Sequence, residues 1–300
     1  MKRVLEIRKD PTKKPDGFRL RDGTLRQELF YRRAFGVALT DGGPVDPFAQ
    51  TEIHGLIQFG PVHDNGNFTR FEFNPNKLGP QKTVELLAAV DHILKAADTS
   101  VAHGKVTGLD VAVDLPDILP DRYHWERTTN VKRIVFTGMS GQPETLYLGK
   151  TRGENVCIYD RKAKLGEGPQ VTRIERRFNP GMEFSSLHEL ENPFLILKAY
   201  DLQVLATGPQ VPNGIPSQYF PWLQATAASR GLKGTLAHLP KPAKDRYLEL
   251  LEANKPAFWS PDEIWSYWPD VLAKTFAETC PTEWGLTSFA KAEPALVDAT

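Results

Sequence analysis

Three short segments carry side chains whose types and spacing could do chemistry. In Gly108-Leu109-Asp110-Val111-Ala112-Val113-Asp114, strand alternation sets Asp110, Ala112 and Asp114 on one face and Val111 and Val113 on the other. The apolar face can enter a core, and the other carries two carboxylates within about 13 Å of each other. Either carboxylate offers hard oxygen to a divalent cation, although Asp114 can equally cap the turn at Pro116. In Cys157-Ile158-Tyr159-Asp160-Arg161-Lys162-Ala163-Lys164, a tyrosine at a strand end precedes three cations. Tyr159 is either a half-buried sheet residue or a phenol in a positive field, which would favour phenolate and attract a phosphodiester. In Thr172-Arg173-Ile174-Glu175-Arg176-Arg177-Phe178, alternation places Arg173, Glu175 and Arg177 on one face. A glutamate between two arginines reads as an ion-pair ladder, or as a metal ligand flanked by phosphate-binding guanidinium groups.

The elements that must position these residues follow from periodicity. Glu52–Gly60 and Thr69–Asn74 read as strands joined through Asn65-Gly66, a hairpin signal. Thr83–Ala97 carries apolar residues at helical spacing, with Thr83 as its cap. Strands are predicted over Lys105–Asp114, Lys132–Thr137, Glu144–Gly149, Asn155–Asp160 and Gln170–Phe178. Beyond Phe178, Leu187–Leu205, Tyr219–Ala228, Pro242–Ala253 and Pro261–Phe276 read as helices, with most of the tryptophans packing among them. The fold class predicted is α+β: a mainly antiparallel sheet with helices, followed by a helical C-terminal region. The boundaries expected are a basic arm at 1–49, a central domain at 50–180 and a helical region at 181–300. Residues 9–24 and 41–44 read as loop and turn, and 290–300 as a frayed tail.

With 37 basic and 37 acidic residues the formal charge is zero, which argues against a histone-like coat. The charge is nevertheless uneven, since residues 1–33 hold 11 basic and 5 acidic side chains, so a local phosphate-binding region stays open. Two widely spaced cysteines, Cys157 and Cys280, exclude a disulfide scaffold and a four-cysteine zinc site and suit a reducing cytoplasm. The N-terminus does not read as a secretory signal, and apolar runs such as Phe194–Leu197 are too short to span a bilayer. Gly149-Lys150-Thr151 resembles the end of a phosphate-binding loop, but Glu144 stands where that loop needs glycine. The seven histidines form no H-E-x-x-H pair.

Taken in series, the runs Phe71–Leu78, Gly108–Asp114, Glu144–Thr151, Val156–Lys162 and Thr172–Phe178 resemble the replication initiation factor family (Rep_trans). These are rolling-circle plasmid and phage initiators with related relaxases of conjugative elements. The resemblance covers about residues 52–178 in matching order, with Arg161 where the family's tyrosine box has Lys and Gly108 where its acidic strand has Arg. It implies a DNA nickase and strand transferase, with Tyr159 attacking a phosphodiester at an origin and holding the DNA 5′ end. It further implies a divalent cation, Mg or Mn, held by Asp110, Asp114 and Glu175, and DNA phosphates held by Arg161, Lys162, Arg173 and Arg177. The DNA would be single-stranded or extruded, with Tyr147, Phe136 or Trp125 available to stack bases or to pack the sheet. Arg230, Lys233, Lys241, Lys244 and Arg246 would either grip duplex DNA or lie solvated on packed helices. A host helicase and a second copy of the chain are further partners the resemblance admits, with no membrane. The alternatives are a relaxase with the same chemistry and a non-catalytic DNA-binding regulator on the same fold.

Overall fold

The computed structural model describes residues 55–62, 66–95, 99–129, 131–138, 143–150, 153–166, 168–207 and 211–277, with the strands at 6–9 and 33–38. The chain divides into two units, Met1–His103 with Pro269–Thr300, and Gly104–Trp268. These boundaries fall elsewhere than the 49/50 and 180/181 divisions read from the sequence. The turn at 41–44, residues 10–32 of the arm, Trp284 and the tail lie outside the described residues.

In the first unit, β1 (Glu6–Lys9), β2 (Arg33–Ala38), β3 (Gly55–Val62) and β4 (Gly66–Phe73) form an antiparallel sheet in sequence order. The hairpin predicted around Asn65-Gly66 is β3–β4, with strands extending further into the turn than expected. A short helix α1 (Pro75–Leu78) precedes α2 (Pro80–Lys95). Thr83 is not the cap of α2: proline starts the helix, and the buried Thr83 hydroxyl donates back to the Gly79 carbonyl at 2.8 Å.

The second unit opens with β5 (Lys105–Val106) and β6 (Leu109–Pro116), one predicted strand broken at Thr107-Gly108. Then come β7 (His124–Arg127), β8 (Arg133–Thr137), β9 (Pro143–Gly149), β10 (Asn155–Asp160), α3 (Arg161–Leu165) and β11 (Val171–Phe178). Five of these strands make an antiparallel sheet in the order β6-β11-β10-β9-β8. Pro116 is tolerated because β6 is an edge strand. Gly149 adopts φ +124°, and a Cβ there would lie 2.8 Å from the Glu154 carbonyl oxygen, so the β9–β10 turn itself demands the glycine.

Past β11 the structure departs from the sequence reading. In place of one helix over 187–205 there are β12 (Met182–Glu183), a 3-10 turn at Phe184–Glu189, β13 (Leu197–Tyr200) and a short α4 (Gln203–Thr207). Pro193 forbids a continuous helix, and the Asn192 side chain accepts from the Phe194 amide at 3.0 Å to turn the chain. That turn delivers β13 to β7, with Ala199 opposite Trp125. Helices α5 (Phe220–Arg230), α6 (Leu232–Leu236) and α7 (Lys241–Ala253) follow. The predicted helix over 261–276 is split into α8 (Pro261–Trp265), α9 (Trp268–Leu272) and a π-helical turn at Ala273–Ala277, with Pro269 interrupting the ladder.

The inner face of the five-stranded sheet, built from Leu115, Leu148, Val156, Ile158 and Ile174, packs against Trp125, Phe194, Leu197 and Trp259. Trp125 and Trp259 meet edge to face at 5.4 Å, and each buried indole donates to a carbonyl, of Pro120 and Leu197 respectively. Trp125, 1% exposed, is therefore a core residue and not a base-stacking one. Trp125→Ala is expected to cost about 3–5 kcal/mol of stability, read as a fall in the denaturant midpoint. A second core gathers Leu223, Ala227, Leu232, Leu236, Tyr247 and Leu251 from α5, α6 and α7.

Candidate functional site

The outer face of the five-stranded sheet carries the chemistry. In the antiparallel register Tyr159 on β10 lies opposite Arg173 on β11, and Arg173 opposite Asp114 on β6. One rung along, Cys157 lies between Tyr147 on β9 and Glu175 on β11, and one rung further Arg177 lies opposite Asp110. Directly opposed residues share a face, so every residue singled out on strands 109–116, 155–160 and 171–178 emerges on the same side.

The centre of the site is one hydrogen bond. The Tyr159 hydroxyl donates to Glu175 Oε1 at 2.6 Å, a charge-assisted geometry. Burial, together with the Glu175 carboxylate beside it, pushes the phenol's pKa well above its ordinary value. The positive field read from the sequence is thus opposed at the hydroxyl by burial and by the Glu175 carboxylate, with Arg173 acting the other way. Arg161 turns away to Asp114, and Lys164 sits over the ring, its Nζ 4.1 Å from the centroid. Tyr159 is 4% exposed, roofed on that side by α3. This helix is legible in hindsight: Asp160 caps it by accepting from the Ala163 amide at 3.1 Å, and Gly166 ends it at φ +78°. Sequence reasoning took Asp160 only as the end of a strand and missed that Lys164 would be carried back over Tyr159.

The acids do not form a three-carboxylate ion site. Arg173 grips Asp114 with two hydrogen bonds of 2.6 and 2.7 Å, and Arg161 adds a third of 2.8 Å. Arg177 Nε lies 2.9 and 3.0 Å from the two Asp110 oxygens. Only Glu175 reaches the phenol, and among the described residues no three His, Cys, Asp or Glu side chains come together as ligands. Of the ligand trio, Asp110 and Asp114 are instead rungs of an ion-pair ladder along β6 and β11. Of the predicted phosphate-binding set, Arg161, Arg173 and Arg177 are spent on that ladder, and Lys162 is exposed.

Hydrogen bonds from Arg173 hold the Asp114 carboxyl below its usual value of 3.8. A carboxyl whose pKa is lower folded than unfolded stabilises the fold above that value and loses the contribution as pH falls through the folded pKa. The denaturant midpoint of the wild type is therefore expected to fall more steeply below about pH 4 than that of Asp114→Asn.

Around the pair lie a buried thiol and an exposed aromatic edge. The Cys157 thiol is buried and its pKa raised by that burial. A hydrogen bond with Cys157, with burial, likewise raises the Tyr147 phenol. Phe136, 52% exposed, meets Tyr147 edge to face at 5.8 Å, leaving an aromatic shelf beside the phenol–carboxylate pair.

Such a face, a phenol seated on a carboxylate among cations, defines a class of site suited to moving a proton off a tyrosine next to an anionic ligand. No protein-family model matches the chain. It is similar to two curated proteins of Staphylococcus aureus, each described as a replication initiation protein. The first is 28% identical over 197 residues, covering 62% of this chain and 56% of that protein. The second is 32% identical over 120 residues, covering 40% of this chain and 32% of that protein. The chain thus spans about half the length, or less, of these curated relatives. No helix among the described residues is long and apolar enough to cross a membrane.

Proposed function

We propose that the chain initiates DNA replication by cutting one strand through Tyr159 and keeping the new 5′ end as a phosphotyrosine, in the rolling-circle manner. The observation that carries this reading is the Tyr159–Glu175 hydrogen bond on the sheet's outer face. Its partial support is the similarity to proteins named for replication initiation.

The step balances on this chain's own groups. Tyr159 Oη attacks a backbone phosphorus while its proton passes to the Glu175 carboxylate. The Oη–P bond forms, the P–O3′ bond breaks, and the 3′-oxygen leaves as a hydroxyl by taking a proton from water, whose hydroxide recovers the proton held on Glu175. Lys164, displaced from the ring by the incoming strand, stays close enough to offset charge on the phosphoryl oxygens. Phe136 and Tyr147 offer stacking surfaces for flanking bases. No step is assigned to a metal ion, because Asp110 and Asp114 face arginines and not the phenol.

The test is incubation with labelled single-stranded oligonucleotides, followed by mass spectrometry of the trapped peptide. A nucleotide mass on Tyr159 supports the reading. Salt-sensitive binding with no adduct favours a non-catalytic DNA-binding protein on the same sheet.

A further inference from the structure

On the opposite side of the five-stranded sheet from Tyr159, a cavity of about 360 Å³ opens between β7–β8 and α5–α6. Arg127, Arg133, Arg230 and Lys233 line it, with Glu126 the one carboxylate among its lining residues. Cations in a half-buried place normally face carboxylates, because an uncompensated charge removed from water is costly. Here they do not. Arg133 donates to the carbonyls of Trp125 and Ala228, at 2.5 and 3.2 Å, and the Lys233 ammonium to the Thr128 carbonyl at 3.1 Å. Burial pushes the Arg133 guanidinium's pKa down, and Glu126 alone pulls it back. Glu126 is itself shared, with His124 Nε2 at 3.5 Å and the Lys233 amide at 3.5 Å. Arg127 keeps its Nε buried with no hydrogen-bond partner among the described residues. Gly231, at φ +78°, turns the chain between α5 and α6 at the cavity wall, its absent Cβ 3.4 Å from Glu126. Two half-buried guanidinium groups, Arg127 and Arg133, and two exposed rim cations, Arg230 and Lys233, thus line one cavity with a single carboxylate, and the buried Arg127 Nε has no partner among the described residues.

We propose that this cavity seats a phosphate group, carried by a DNA strand or by a free nucleotide. The chemistry fits: guanidinium forks pair with two oxygens of a phosphate at once, and four cations around one carboxylate leave a positive surplus that a phosphate dianion offsets in large part. The DNA form rests on the replication-initiator reading, whereas the nucleotide form does not. A cavity contact on the back of the sheet would anchor a strand at a distance from the cutting site.

The test uses the full chain with inorganic pyrophosphate and ATP by calorimetry, and an arbitrary-sequence duplex by fluorescence anisotropy across salt concentrations. Pyrophosphate is expected to bind and to raise the melting temperature. Arg230→Ala with Lys233→Ala, both at the rim, should weaken it at least about tenfold, the loss of one charge-assisted contact. Lys241→Ala with Lys244→Ala, on α7 and outside the cavity, should not. If the ligand is a DNA strand, pyrophosphate competes with the duplex, and the rim variant lowers the salt slope by about two. If it is a nucleotide, ATP binding falls in the rim variant and duplex binding does not. Unchanged pyrophosphate affinity in the rim variant, or no pyrophosphate binding to the wild type, overturns the proposal. Tyr159→Phe should leave cavity binding intact, and in the wild type a missing adduct beside normal pyrophosphate binding would count against the nickase alone.

Discussion

Tyr159→Phe is expected to abolish covalent capture of a DNA 5′ end, a fall of about 10⁴-fold or more, the order that follows loss of a covalent nucleophile. DNA binding should stay within about twofold, because the ring remains and the substitution removes no cation that would meet the backbone. The hydroxyl's removal leaves Glu175 without its donor, and a stability loss of about 1–3 kcal/mol should accompany the lost activity. Two other tyrosines serve as controls. Tyr147 engages the Cys157 thiol and not a carboxylate, so no carboxylate base contacts its phenol to take the proton. Tyr123 packs edge to face on Phe258 at 4.7 Å, against the inner core. Both Tyr147→Phe and Tyr123→Phe should still form the adduct. Denaturing electrophoresis of labelled oligonucleotide with each variant separates the cases, and an inactive Tyr147→Phe beside an active Tyr159→Phe would move the nucleophile one strand over.

Much of the site was legible because strand alternation is rigid. Once β6, β10 and β11 were read correctly, the grouping of Asp110 with Asp114, and of Arg173 with Glu175 and Arg177, followed from a period of two. What alternation cannot convey is which residue of one strand lies opposite which residue of the next. The register sets Asp114 against Arg173 and Asp110 against Arg177, and that alone decides between a ligand set and an ion-pair ladder. Charge type was readable; partnership was not. The 187–205 stretch shows a different limit, because its apolar spacing satisfied a helix while Pro193 and the pairing of β13 with β7 required a strand. The phosphate cavity was invisible for a third reason. Arg127 and Arg133 are far from Arg230 and Lys233 in sequence, and only the packing of α5 and α6 against the sheet brings them together.

Glu175→Gln is the sharpest test of how the phenol is activated. Glutamine keeps the size of glutamate and an oxygen for the Tyr159 hydrogen bond, but it cannot take the proton. Since burial and the carboxylate itself keep the phenol protonated far above neutral pH, attack depends on a base in contact with it. The variant should form adduct about 10²–10⁴-fold more slowly, the usual worth of general-base catalysis. Its residual rate should climb with pH, as hydroxide replaces the missing carboxylate. Asp110→Asn should behave in the opposite way, because it releases Arg177 from its paired oxygens and leaves the Tyr159–Glu175 contact untouched. Adduct formation should persist, while DNA binding tightens and its salt slope steepens by about one as the freed guanidinium takes a phosphate. Single-turnover rates for the two variants, measured across manganese concentrations, decide the matter. If Asp110→Asn and Glu175→Gln fail alike and excess manganese restores both, the carboxylates gather around an ion when DNA binds, and a base acting alone is the wrong mechanism.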